Sequence, residues 1–249
     1  MIQWALIFTR PTRTHYRLST LRHLLKSCKR AIFRMMLCIV SRNIGLPDPG
    51  RAYYQAYAKL LVDSGYKSDS CLFLKFSSSE DRIYIWVHVN DTFVAATTTD
   101  LLDEFETVVK SQFKITVKSD VDLYLGIHFD YLPNGDVKIT QPKLLQGLLE
   151  EYKDELTKHR ARVPITLQRK ESTKSTTDEP IDPSEYLHLK GALIYLTKSR
   201  PSIQTAVSLE ATHSVNPTRG DFDELIHCLK YLESTQNTGL LLKAGKPFR

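Results

Sequence analysis

Tyr53, Tyr57, Leu60, Leu61 and Ser64 recur at three- and four-residue spacing, which predicts an amphipathic helix stopped by Gly65 at its C′ position. The stretch before it, Gly45-Leu46-Pro47-Asp48-Pro49-Gly50, has the chemistry of a loop. Cys71 to Phe76 reads as a strand and Ser77 to Asp81 as a polar turn. The period then falls to two. Ile83, Ile85, Val87 and Val89 alternate with Tyr84, Trp86 and His88, giving a strand with two substantial faces. Asn90-Asp91 interrupts the run and Thr92 to Thr97 resumes it, so the pattern predicts a β-hairpin with Asn90 and Asp91 at its tip.

Leu101, Leu102, Phe105, Val108, Val109 and Phe113 form the apolar stripe of a second helix. Leu123 to Tyr131 and Asp136 to Gln141 predict a second hairpin around Pro133-Asn134-Gly135. Pro142 opens a helix with Leu144, Leu145, Leu148, Leu149 and Tyr152 inward. Arg160 to Pro183 is polar and without period, as a linker is. Three helices follow. Asp182 and Glu185 have capping-box spacing for the first, Ser184 to Lys198. Pro201 starts the second, and Thr218 or Asp221 caps the third, which runs towards Ser234. Strands with helices segregated from them imply an α+β fold. The expected organisation is 1–43, 44–159, a linker over 160–183 and a helical subdomain over 184–249.

Composition narrows the class. With 249 residues, 42% hydrophobic and 25% charged, the chain is of globular type. Cys28, Cys38, Cys71 and Cys228 are too few and too scattered for a disulfide framework. The best apolar run, Ala31 to Val40, is too short for a membrane span and contains Arg34. Met1 to Phe8 lacks the positive stretch of a secretory signal.

Charge is unevenly spread. Nine basic residues lie before Asp48, the first acid, so the rest of the chain holds 25 basic against 28 acidic residues under an overall charge of +6. Three readings fit this start: a nucleic-acid-binding arm, an acid-free transit peptide, or a stretch foreign to the domain, such as one translated from a damaged or wrongly joined frame. The abrupt change at Ile44 and the weak helical period before it favour the third.

Several chemistries are missing. The eight histidines show no spacing with one another or with the cysteines that suits zinc. No G-x-S-x-G elbow is present. Gly239 to Lys246 has one residue too many between its glycines for a P-loop. Asp100, Asp103 and Glu104 fall in a helix's first turn, where acids suit the dipole. Tyr84 and Trp86 read as core, and Cys71 as a buried small apolar side chain. The hairpin tip is left. Asn90-Asp91 is ordinary turn chemistry on one reading and a hard-cation site on another.

The hairpin resembles the Tyr-x-Asp-Asp hairpin of reverse transcriptases, and further elements are similar to one branch, the copia-type LTR retrotransposons. Gly45-Leu46 with Arg51-Ala52-Tyr53-Tyr54 resembles that family's "Tyr-Gly-Leu…Arg-Ala-Trp-Tyr", and Asp69-Ser70-Cys71-Leu72-Phe73 its "Asp-Pro-Cys-Leu-Phe". Tyr124-Leu125-Gly126-Ile127 resembles "Phe-Leu-Gly-Ile", and Ile139-Thr140-Gln141 "Ile-Ser-Gln". Tyr195-Leu196-Thr197, Arg200-Pro201, Asn216-Pro217-Thr218 and Leu229-Lys230-Tyr231-Leu232 follow its late helical signature.

The resemblance implies an incomplete palm with remnants of fingers, then a helical thumb or connection region. It implies an RNA-directed DNA polymerase that uses two Mg²⁺ ions on an RNA or DNA template-primer, with no membrane partner. Three aspartates hold those ions in the family. Here His88 replaces the tyrosine, Asn90 stands where the first hairpin aspartate belongs, and Asp91 alone is retained. The aspartate of the earlier palm strand has no counterpart, since nothing before Asp48 is acidic. The expectation is a catalytically inactive fragment of a decayed element. Its missing palm strand would leave an open sheet edge, and the chain stops about where the family's RNase H domain begins. The alternatives are a non-catalytic nucleic-acid binder using the basic arm, and an interaction protein that joins intact polymerase chains.

Overall fold

The computed structural model describes residues 49–69, 71–77, 81–88, 91–119, 121–156, 160–166 and 179–243, together with the backbone of one earlier strand, β1 (Ile32–Ile39). Most of the basic 1–43 segment, residues 167–178 of the polar stretch, Val89 and Asn90 lie outside the described residues. The chain combines antiparallel strands with segregated helices, an α+β arrangement, and divides into two compact units. One holds the described residues through Tyr124 with Tyr131–Val137; the other holds Leu125–Asp130 and Lys138–Leu242.

The first unit is built on a six-stranded sheet. Its elements are β1, α1 (Pro49–Asp63), β2 (Lys67–Asp69), β3 (Leu72–Phe76), β4 (Arg82–His88), β5 (Asp91–Ala96), α2 (Thr99–Lys110) and β6 (Lys114–Lys118). The strand order is β2-β3-β4-β5-β1-β6. The two-residue alternation of β4 sorts its side chains to opposite faces. Ile83, Ile85 and Val87, with Phe73, Val94 and Ala96, meet Tyr57, Leu61, Leu102 and Phe105 of the two helices in one core. On the other face Trp86, Phe93, Ala95 and Val121 make a smaller cluster flanked by Tyr84 and Tyr124. Each fully buried large side chain is worth about 1.5–3 kcal/mol, and Tyr57, Phe73 and Phe105 are all fully buried. Gly65 closes α1 at φ +86°, the left-handed conformation its lack of Cβ makes inexpensive.

Three sequence expectations are corrected here. The slot beside β5 is filled: β1 pairs antiparallel with β5 from Ile32↔Ala96 to Leu37↔Asp91, and with β6 on its other side. The sheet therefore has no open edge at β5, because a run mixing apolar residues with Arg34 supplies the strand. Cys71 is only partly buried, since it precedes β3. The run Leu123 to Tyr131 is not one strand. It breaks into β7 (Leu123–Tyr124) and β8 (Ile127–Tyr131), because Leu125 and Gly126 take φ of 50° and 73°, which no strand accommodates.

The second unit contains α3 (Pro142–Glu151), α4 (Pro183–Leu196), α5 (Gln204–Glu210) and α6 (Arg219–Ser234), around one core with Leu145, Leu148, Tyr186, Leu193, Phe222 and Leu229 at its centre. In it β9 (Val137–Thr140) runs between β8 and β10 (Leu240–Leu242). Gly239 enters β10 so close to β9 that an added Cβ would lie 2.6 Å from the Ile139 carbonyl oxygen. Thr218 caps α6 in a complete capping box with Asp221. Asp182 caps α4 through the Ser184 amide rather than through residue 185. The Tyr195 phenol donates to the carbonyl of Leu125, which anchors that left-handed turn. No helix among the described residues is long and apolar enough to cross a membrane.

Candidate active-site hairpin

β4 and β5 pair from Ile83↔Ala96 to His88↔Asp91. Asp91 therefore opens β5 as a paired strand residue, where the polar pattern predicts it at the tip. The Asn90 expectation itself falls outside the described residues.

Alternation fixes what surrounds Asp91. Thr92, fully buried, faces the helices, and its hydroxyl donates to the Tyr57 phenol at 3.3 Å. Asp91 and its cross-strand neighbour His88 consequently share the opposite face with Trp86 and Phe93. His88 is 8% exposed, and the Asp91 side chain is partly exposed. Tyr84 stacks on Trp86 with ring centroids 6.2 Å apart and planes within 13°, and Trp86 and Tyr124 flank Phe93 at 5.8 and 5.2 Å. The hairpin end thus presents a histidine and a carboxylate beside an aromatic floor.

Its carboxylate supply is small. β3, β4, β5, β1 and β6 read LFLKF, RIYIWVH, DTFVAA, IFRMMLCI and KITVK, and Asp91 is the one acid among them. Leu37 occupies the β1 position opposite Asp91.

The profile of reverse transcriptases (RNA-dependent DNA polymerases) matches residues 39–166, a little over half of the chain and all of this hairpin. The chain belongs to the reverse transcriptase family. Members of the family bind a nucleic-acid template and use divalent metal ions. The match begins at the last residue of β1, so the sequence of that strand lies almost wholly outside it.

The relatives place this family member among copia-type retrotransposon enzymes. The chain is 29% identical over 204 residues to the retrovirus-related Pol polyprotein from transposon RE2 of Arabidopsis thaliana, covering 81% of this chain and 14% of that protein. Its identity to the RE1 polyprotein of the same plant is 28% over the same shares. It is 30% identical over 160 residues to an uncharacterized mitochondrial protein of Arabidopsis thaliana, covering 64% of this chain and 65% of that one. The chain thus spans about one seventh of the length of the two polyproteins. No solved structure matches.

One constellation escaped the sequence reading. Glu210, His213 and Asp221 bring three possible ligand atoms within 4.8 Å of one another in the second unit. A search of histidine spacing against cysteines and other histidines passes over it, because its partners are carboxylates. The Glu-x-x-His spacing at a helix end is the signal that was available.

Proposed function

We propose that this chain is a copia-type reverse-transcriptase region that binds template-primer but does not copy it. In this reading the six-stranded sheet with α1 and α2 is the palm with remnants of fingers, and the helical unit is the thumb or connection. His88, Asn90 and Asp91 occupy the catalytic hairpin, and Asp91 is the single retained metal carboxylate. The observation that carries the reading is the lone acid: Asp91 stands by itself among five neighbouring strands, with Leu37 opposite it.

Two Mg²⁺ ions need several oxygen ligands and matching negative charge. One carboxylate and one amide do not fit that pair. The metals supply several kcal/mol to such a reaction, and each ~1.4 kcal/mol lost is about a factor of ten in rate. Loss of two of three carboxylates therefore removes several orders of magnitude. Association with intact polymerase chains of the same element is compatible with this reading.

The test is primer extension on an RNA or DNA template with Mg²⁺ or Mn²⁺, run beside a gel-shift on the same template-primer. The expected result is a shifted complex and no extended product. Templated product that disappears in Asp91→Ala contradicts the proposal.

A further inference from the structure

α5 ends on Glu210, a single 3-10 turn carries the chain through Ala211–His213, and Asp221 is the third residue of α6. The fold therefore brings the end of one helix to the start of the next. His213 Nδ1 lies 2.9 Å from Asp221 Oδ1 and 3.4 Å from Glu210 Oε2. The Glu210 side chain is only 4% exposed, His213 18% and Asp221 15%.

Two carboxylates converge on one imidazole nitrogen. A protonated Nδ1 directs its hydrogen at one acceptor, and the shorter separation assigns it to Asp221. The carboxylate of Glu210, only 4% exposed, approaches the same nitrogen, so three potential ligand atoms converge within 4.8 Å. An ion held at about 2.0–2.2 Å by nitrogen and oxygen ligands sets those ligands about 2.9–3.5 Å apart. Both histidine–carboxylate separations fall in that interval.

The ligands are also held in place from behind. Asp221 Oδ2 accepts from the Thr218 amide and hydroxyl, both at 2.9 Å, which leaves Oδ1 turned to His213. The Tyr186 phenol donates to the Glu210 backbone carbonyl at 2.6 Å and lies 3.5 Å from Oε2. Such outer contacts orient the two carboxylates. Nearby Lys190 donates to the Ser214 hydroxyl and lies over the Tyr186 ring.

We propose that Glu210, His213 and Asp221 form a divalent transition-metal site of the zinc class in the helical unit, with open coordination positions for water. Imidazole with two carboxylates selects first-row ions such as Zn²⁺ and Co²⁺ over Mg²⁺ and Ca²⁺, which prefer all-oxygen shells. The site is independent of the hairpin and does not rest on the polymerase reading.

The test uses the full chain and the metals alone. Co²⁺ is titrated by visible absorption and Zn²⁺ by calorimetry and thermal melting, on the parent chain and on His213→Gln, Glu210→Gln, Asp221→Asn and Asp63→Asn. Circular dichroism confirms that each variant is folded. The expected result is one Co²⁺ with a low-symmetry d–d spectrum and a Zn²⁺-dependent rise in melting temperature. Affinity falls about tenfold or more in each of the three site variants and is unchanged in Asp63→Asn, whose exposed carboxylate pairs with Lys59 on α1. If any site variant does not fold, the Co²⁺ spectrum of the parent and the response of the remaining variants decide. Equal affinity in parent and folded site variants means an adventitious ion only and overturns the proposal. Absence of uptake also overturns it, leaving a hydrogen-bonded histidine between two carboxylates.

Discussion

Asn90 and Asp91 differ by one oxygen and one charge, and the functional reading turns on that difference. Single side chains elsewhere report burial with the same directness. Cys228 is 1% exposed on the inner side of α6. Burial pushes its thiol up to about 12; the Arg200 guanidinium opposes this, and the Glu210 carboxylate adds to it. The thiolate is the reactive form, so at pH 8 only about one Cys228 in ten thousand is ionised. Cys71 is partly exposed. Alkylation at pH 8 followed by peptide mapping is expected to label Cys71 and to spare Cys228 until the chain is denatured. Labelling of Cys228 should rise as the pH approaches 12. Equal labelling of the two in the folded chain at pH 8 would contradict the packing of α6.

Elements with local chemistry were legible in the sequence, and elements placed by their neighbours were not. Thr218 and Asp221 announce the start of α6 because a capping box is written within four residues. The β4 strand is legible because both of its faces are apolar. β1 was not, because Ile32–Ile39 mixes apolar residues with arginine and lies in the stretch whose charge points away from the domain. Pairing on both sides, with β5 and with β6, puts it in the sheet. The hairpin was legible as a hairpin, but polarity put Asp91 at its tip, whereas the ladder with His88 takes Asp91 into β5. The Glu210 cluster was only partly written locally, as Glu-x-x-His, because Asp221 comes from a separate helix. Deleting 1–31 leaves β1, whereas deleting 1–43 removes it and exposes the edges of β5 and β6. The shorter deletion is expected to remain a soluble monomer melting within a few degrees of the parent, and the longer one to aggregate on size-exclusion chromatography. Identical melts and elution for the two would remove β1 from the sheet.

Over the whole molecule, charge and chemistry are segregated. The chain carries +6, yet the residues after the first 47 are net negative, so its excess positive charge sits outside nearly all of the span that matches the family. That span holds the β4–β5 hairpin, and on the proposed reading Asp91 is the one metal carboxylate left there. The two proposed sites differ in chemistry: Asp91 at the hairpin in one unit, and His213 with Glu210 and Asp221 in the other. Mn²⁺ uptake at the hairpin, followed by electron paramagnetic resonance, tests this account most directly. Comparing the parent with Asp91→Ala separates the hairpin from every other Mn²⁺ site. The account predicts identical uptake in those two chains, and an added site in Asn90→Asp that Asp91→Ala abolishes. A parent chain that holds Mn²⁺ about tenfold more tightly than Asp91→Ala would contradict it.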